Sequence, residues 1–347
     1  MANIEIGIGG DLTGLRGRLG GRSYDGDFEE QFVHLKELIT LYDPAASIEF
    51  IESCPPKDRA EEFGELASKH GMPVKQFSIP CDIGGGVVTF HLLRENLDLA
   101  RRAGTVDRIN LQVLGDNNSP TIDELVQFFV AADEIAKDYG IELYTETHVD
   151  RFTYDPRRLI AVHEALLDRT AGRLGIRVSA DFSHYIHQLD NPNFCNWPDI
   201  ASGRLNLDPL DSNNYVSRNI ISRGLVGYGH LRVAIPNHLT RTEGTIQYPL
   251  IDPKQDPETA HLSNGGMKFP WHGREMSKWF AWYREVFRYQ LSHPRRPVAR
   301  FSSEYIGDGT PGYYRVDQYR NLFQNIAMVS FAHSMLRESQ CEMATAA

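Results

Sequence analysis

The 347-residue chain is 41% apolar and 24% charged, an ordinary balance for a globular protein with a large core. Its formal net charge of −10 argues against a nucleic-acid surface, which needs cationic side chains to neutralise phosphates. Four scattered cysteines (54, 81, 195, 341) without a CxxC pair, no basic-then-apolar N-terminus and no run of about eighteen apolar residues argue against a cysteine zinc site, a secretory signal and a membrane span, so a cytoplasmic location is expected.

Short runs rich in β-branched residues alternate with longer amphipathic stretches. Residues 4–9 read as a strand and 28–42 as a helix, followed by a strand at 47–52, a helix through 59–71 and a strand at 74–79. A helix through 93–104 and a strand at 108–114 come next. The helix predicted over 121–140 ends on Gly140, a residue suited to a C-cap. Strand 141–148 precedes a helix over 155–172, which Asp155-Pro156 opens as N-cap and first-turn proline. After strand 176–184 a less regular segment runs to Ile221, then strand 225–233. A helix over 276–293, a strand at 297–305 and a helix over 316–339 complete the chain. The aromatic run Trp279, Phe280, Trp282, Tyr283 is expected in the core rather than at an interface.

Eight strands alternating with helices imply parallel βαβ units, and eight of them point to a closed (β/α)₈ TIM barrel, one domain over 1–347. An open doubly wound sheet is the runner-up. It would place a glycine fingerprint after the first strand, but Gly7, Gly9 and Gly10 lack the third glycine in its place and read as a tight βα turn. The one large departure from regular spacing is 235–275, a proline- and glycine-containing insertion with little periodicity. Following strand seven, it falls at the mouth of the barrel, as a lid or a subunit contact.

Catalytic side chains of such barrels come from the C-terminal strand ends. Strand five ends in Glu146 and His148, strand six in Asp181 and His184, strand seven in His230 and Arg232, strand eight in Glu304. The first four end in Gly9, Glu52, Ser78 and Gln112, without such a concentration. Neighbouring strands lie ~5 Å apart, so inward side chains at adjacent ends can converge on one ion. Glu146, Asp181, His230 and Glu304 form a mainly oxygen set suited to one divalent cation, Mn²⁺ foremost, with Mg²⁺ or Co²⁺ as alternatives. Strand alternation puts His148 on the same side as Glu146, as a base above the metal or as a hydrogen-bond partner beside it. Gln112 is a candidate substrate contact.

The segments Thr-Glu146-Thr-His148, Asp181-Phe-Ser-His184, His230-Leu-Arg232 and Ser-Ser-Glu304-Tyr, in this order, resemble the xylose isomerase-like barrels, the sugar phosphate isomerase/epimerase family. The resemblance implies that Glu146, Asp181, His230 and Glu304 bind the metal, that the two glutamates form the acid–base pair beside a carbonyl, and that His184 and Arg232 contact substrate oxygens. It implies an isomerase or epimerase acting on a sugar or keto-sugar. It leaves open a lyase using the same enolisation, as in inosose dehydratases and C-glycoside deglycosidases. The latter work with a small partner subunit, so a hetero-oligomer stands beside a homo-oligomer. Arg241, Gln247, Tyr248, His261, Trp271 and His272 in the 235–275 insertion suggest a bulkier substrate such as a glycoside, with a structural or oligomer-contact loop as the alternative. An apurinic endonuclease on this barrel would need histidine ligands on early strands and a basic face, and a barrel serving only as a scaffold would be expected to lose ligands. Neither pattern is present.

Overall fold

The computed structural model describes residues 3–9, 18–19, 22–23, 27–83, 87–114, 120–149, 151–186, 188–189, 195–233, 250, 273–305 and 318–346. Eight parallel strands close into a barrel: β1 (Ile4–Ile8), β2 (Ile51–Glu52), β3 (Val74–Asp82), β4 (Arg108–Leu114), β5 (Glu142–Glu146), β6 (Val178–Ala180), β7 (Val226–Leu231) and β8 (Ala299–Ser303). Each pairs with its neighbours in chain order, and β8 closes on β1 in a register running from Ile4 opposite Ala299 to Ile8 opposite Ser303. A separate antiparallel pair, Arg18–Leu19 with Arg22–Ser23, stands outside the barrel.

Local chemistry sets the helix starts. Asp27 caps α1 (Phe28–Tyr42) by accepting from the Glu29 and Glu30 N–H groups. Thr121 and Glu124 form a reciprocal capping box at α4 (Ile122–Lys137). Asp155 and Pro156 open α5 (Pro156–Arg169), as the dipeptide predicts. Helices α2 (Ala60–Lys69) and α3 (Val87–Ala103) lie in the same ring, α3 starting earlier than its periodicity indicates. The irregular stretch after β6 folds as the short helices α6 (Ser183–Ile186) and α7 (Trp197–Ala201) and a π-helical turn, Ser217–Ile221. Helices α8 (Gly273–Ser292) and α9 (Gln318–Ala346) complete the ring. On α8, Trp279, Trp282 and Tyr283 are fully buried, the core position expected of them. Among the described residues no helix is long and apolar enough to cross a membrane.

Three details differ from the sequence reading. Strand two is only two residues long, although the flanking backbone already pairs with β1 through Glu49 N–H to the Ile6 carbonyl at 2.9 Å and Ile8 N–H to the Phe50 carbonyl at 3.1 Å. Strand six stops at Ala180, because the Asp181 carboxylate accepts the Ser183 N–H at 2.9 Å and turns the chain into α6. His184 therefore sits on a helical turn, not at a strand end. Finally, Gly7 and Gly9 are needed for close approach rather than for a tight turn: a Cβ on Gly7 would lie 2.6 Å from the Phe50 ring, and one on Gly9 2.8 Å from the Ser303 carbonyl oxygen. Gly10 lies outside the described residues, as does the 235–275 insertion except for Leu250 and residues 273–275 of α8, and with it Arg241, Gln247, Tyr248, His261, Trp271 and His272.

The floor of the barrel is polar and tied across. The buried Arg108 on β4 donates to the carbonyls of Gly227 (2.7 Å) and Val298 (2.5 Å), and Arg300 on β8 pairs with Glu5 and Asp107. The opposite end holds the converging strand ends.

Candidate metal centre and active site

Period-two alternation along β7 turns Tyr228, His230 and then Arg232 toward the barrel axis, and β5 does the same for Glu146. Asp181 and Glu304 are the first residues past β6 and β8. Hydrogen bonds hold these ends level: Glu304 N–H reaches the Leu231 carbonyl at 3.1 Å, and Thr147 N–H the Ser179 carbonyl at 3.0 Å. The Tyr283 hydroxyl, from α8, lies between the carbonyls of Ala180 and His230 and so braces the two strand ends that deliver Asp181 and His230.

Glu146, Asp181, His230 and Glu304 converge. One ligand atom from each lies within 4.8 Å of all the others. His230 Nδ1 is 3.1 Å from Glu146 Oε1 and 3.3 Å from Glu304 Oε2. Ligands of a small octahedral cation at ~2.1 Å stand roughly 3 Å apart when adjacent and about 4.2 Å when opposite, so the spacing suits such an ion after small side-chain movements. Glu146, Asp181 and His230 are buried, while the Glu304 side chain keeps 17% of its surface exposed. Three carboxylates crowded in a buried site, faced by His230 and Arg232, form a donor set that a divalent cation fits.

Without a cation, the crowding shows in the proton affinities. Burial and the neighbouring Glu146 charge push the Glu304 carboxyl up to about 8, against the pull of His230. Burial acts on Glu146 in the same sense, but the His230 charge and hydrogen bond outweigh it and hold that carboxyl below its ordinary range. Asp181 is likewise held low against burial, by Arg232 and His184. For His230, burial disfavours the charged ring, yet Glu304, Glu52 and Glu146 together raise it well above an ordinary imidazole.

The other predicted residues are placed as follows. His148 lies beside the cluster, its ring centroid 4.0 Å from that of His184. Burial lowers its proton affinity and the Glu146 charge restores only part. Its Nδ1 faces the Val149 carbonyl, which can only accept, so Nδ1 carries the proton and Nε2 keeps its lone pair. His184 is fully buried and pushed down to about 3, by burial first and then by His148. Its Nε2 accepts from Arg232 Nη2 at 3.1 Å. The Arg232 guanidinium donates to Asp181 and is 1% exposed. Gln112, the candidate substrate contact, donates its Nε2–H to Glu146 Oε2 at 2.9 Å, alongside Asn110 Nδ2 at 2.8 Å.

Besides Gln112, the early strands bring further side chains to the centre. Glu52, at the end of β2, reaches across the barrel to His230 Nε2 at 2.9 Å. Asn110 and Ser78 line the same space, Asn110 Nδ2 lying 2.9 Å from Ser78 Oγ. One signal for Glu52 existed, a carboxylate at an inward strand end, but no neighbouring motif marked it out. Nothing in the pattern marked Asn110 or Tyr283.

Solved structures share this architecture over nearly the whole chain. A xylose isomerase-like TIM barrel protein from Mycobacterium smegmatis, in complex with magnesium, aligns at 14% identity and TM-score 0.50, covering 95% of this chain and 97% of its own. The fold is that of the xylose isomerase-like barrels. An L-ribulose 3-epimerase matches at 12% identity and TM-score 0.54, covering 99% of this chain and 98% of its own. A probable 3-DHS dehydratase involved in petrobactin synthesis in Bacillus anthracis matches at 13% identity and TM-score 0.51, over 94% of this chain and 99% of that one. No protein-family model and no curated protein matches the sequence. At these identities the xylose isomerase-like barrel is shared as a fold, and the chemistry must be argued from the side chains at its mouth.

Proposed function

We propose that this protein is a divalent-metal-dependent isomerase or epimerase that moves a proton on the carbon beside a carbonyl of a sugar or keto-sugar. The observation that carries the reading is the convergence of Glu146, Asp181, His230 and Glu304, from four successive strands, to within 4.8 Å at one end of the barrel. A solved neighbour in complex with magnesium and another that is an L-ribulose 3-epimerase support it.

A bound cation would supply Lewis acidity to the substrate's carbonyl and adjacent hydroxyl oxygens, easing loss of the neighbouring C–H proton. The chain does the rest. Asn110 and Gln112 occupy one oxygen of Glu146, which leaves the other turned toward His230 and the cluster. Without a cation Glu304 is held high in proton affinity and Glu146 low; as ligands of a cation both would be ionised, and either could accept the proton that leaves the substrate. Arg232 and His184, bonded to one another and Arg232 also to Asp181, stand next to the cluster as the groups that would meet a substrate's oxygens.

A lyase is the second reading, and His148 favours it. With Nδ1 turned to the Val149 carbonyl, its Nε2 offers a base outside the four-residue set, so a proton can leave by a route that does not require return from the same pair of glutamates. The probable dehydratase among the structural neighbours is consistent with this branch. A small partner subunit would accompany a deglycosidase form of it.

Elemental analysis of purified protein, beside Glu304→Gln, tests the centre. We expect near-stoichiometric Mn²⁺ or Mg²⁺ in the wild type and at least a tenfold weaker hold in the variant. Incubation with ketoses, inososes and 3-keto-glycosides in D₂O should then incorporate deuterium beside the carbonyl. A wild type that holds no metal, and is not activated by added Mn²⁺, would sink the mechanism.

A further inference from the structure

Glu52 is a buried carboxylate that the proposed chemistry does not use. It stands at the end of the shortest barrel strand, yet its two oxygens collect donors from three other strands: Gln76 and Ser78 from β3 (each 3.3 Å), Tyr228 and His230 from β7, and Ser302 from β8. A carboxylate so enclosed is ionised and fixed in place.

We propose that Glu52 is the positioning residue of the centre: it holds the Nε2–H of His230, and so turns Nδ1 toward Glu146, Asp181 and Glu304 as the ligating nitrogen. Both ring nitrogens face carboxylates and both carry hydrogen in the absence of a cation; a cation among Glu146, Asp181 and Glu304 would displace the hydrogen on Nδ1 and leave the one on Nε2. His230 Nε2 lies 2.9 Å from Glu52 Oε1 while Nδ1 lies 3.1 Å from Glu146 Oε1 and 3.3 Å from Glu304 Oε2, on the opposite edge of the ring. A carboxylate cannot donate, so the nitrogen facing Glu52 carries hydrogen. The other nitrogen is then the one that can give its lone pair to a cation. A ligating histidine whose second nitrogen donates to a carboxylate is fixed in tautomer and orientation and made a stronger donor, an effect worth roughly 10- to 100-fold in affinity. Glu52 would touch neither substrate nor ion. The assignment rests on reading His230 as a ligand.

Two readouts test it in Glu52→Gln and Glu52→Leu. In protein carrying ¹⁵N-labelled histidine, the wild type should show a protected His230 Nε2–H both without metal and with Mg²⁺, and its Nδ1–H should vanish when Mg²⁺ binds. Glu52→Leu should lose the protected Nε2–H. Mn²⁺ affinity, followed by the EPR signal of the free ion, should fall roughly tenfold in Glu52→Gln, whose amide oxygen still accepts but carries no charge, and further in Glu52→Leu. If Glu52→Leu does not fold, Glu52→Gln decides the matter by affinity. Wild-type Mn²⁺ affinity in Glu52→Gln, or an unchanged Nε2–H in Glu52→Leu, would overturn the assignment and leave Glu52 a structural brace. A wild type that binds neither ion overturns the metal reading instead, and the Nε2–H resonance in metal-free protein then judges Glu52 separately.

Discussion

His148 and Gln112 show how much a single hydrogen bond decides about a residue's task. With Nδ1–H spent on the Val149 carbonyl, His148 offers Nε2 as a base; it stands outside the converging set of four, although it also groups with Glu146 and His184 to within 4.8 Å. His148→Ala should therefore lower kcat/KM roughly 10²- to 10⁴-fold while leaving Mn²⁺ content near the wild-type value. Loss of metal together with activity would make it a ligand instead. Gln112 grips Glu146 rather than standing free, so removing it should act on the chemistry more than on binding. We expect Gln112→Ala to reduce kcat about tenfold with KM within about twofold, by steady-state kinetics on whichever ketose or keto-glycoside is turned over. A rise in KM alone would return Gln112 to the substrate-contact role that the sequence suggests.

Among the elements, position depends on close approach as much as on helical or strand propensity. Gly64 lies in the middle of α2, where alanine would ordinarily improve a helix by up to about 1 kcal/mol. Here a Cβ would fall 2.1 Å from the carbonyl oxygen of Ala103, at the end of α3, so the sign reverses. Gly64→Ala should destabilise by about 1–3 kcal/mol, measured by urea unfolding, because the two helices must separate. A neutral or stabilising result would mean that α2 and α3 pack less closely than described. The same logic separates what could be read of the elements from what could not. Alternating strand and helix patterns, the Asp155-Pro156 start and the Thr121 cap are local signals and are realised as such. The early end of β6 is not readable from periodicity, since apolar Phe182 and Tyr185 continue the run. The turn comes from Asp181 accepting a backbone N–H.

Across the whole molecule, stability and metal binding are linked through protons. In the cation-free fold Glu304 keeps its proton up to about pH 8, whereas an unfolded glutamate releases it near 4.5. Between those values the folded state holds the extra proton, so stability falls as pH rises. His230 acts in the same direction: raised above 6.5, it contributes fully below that value and loses its contribution as pH climbs through the raised one. Glu146, Asp181 and Glu52, all held low, stabilise above their ordinary range and lose that effect as acid protonates them. The lowered His148 and His184 add stability as pH rises toward 6.5 and oppose Glu304 there, so with EDTA present Tm should fall from about pH 6.5 toward pH 8, where only Glu304 and His230 still act. Added MnCl₂ should raise Tm more at pH 8 than at pH 5.5, because binding must expel the Glu304 proton. A Tm in EDTA that stays flat from pH 6.5 to 8 would show that Glu304 is not protonated in the fold.

The order of strands and helices, the barrel they imply and the four residues Glu146, Asp181, His230 and Glu304 were all present in the amino-acid sequence. Each depends on a local feature: the period of an apolar face, a capping residue, or a polar side chain at the end of a β-rich run. Only the closed barrel brought Glu52 from β2 against His230 from β7, set Asn110 and Gln112 on Glu146, and placed Tyr283 behind two strand ends. These contacts join residues that lie far apart along the chain or on strands whose ends carry no distinctive motif. They exist because a barrel turns every strand's inward face toward one axis, a constraint that no single stretch of sequence contains.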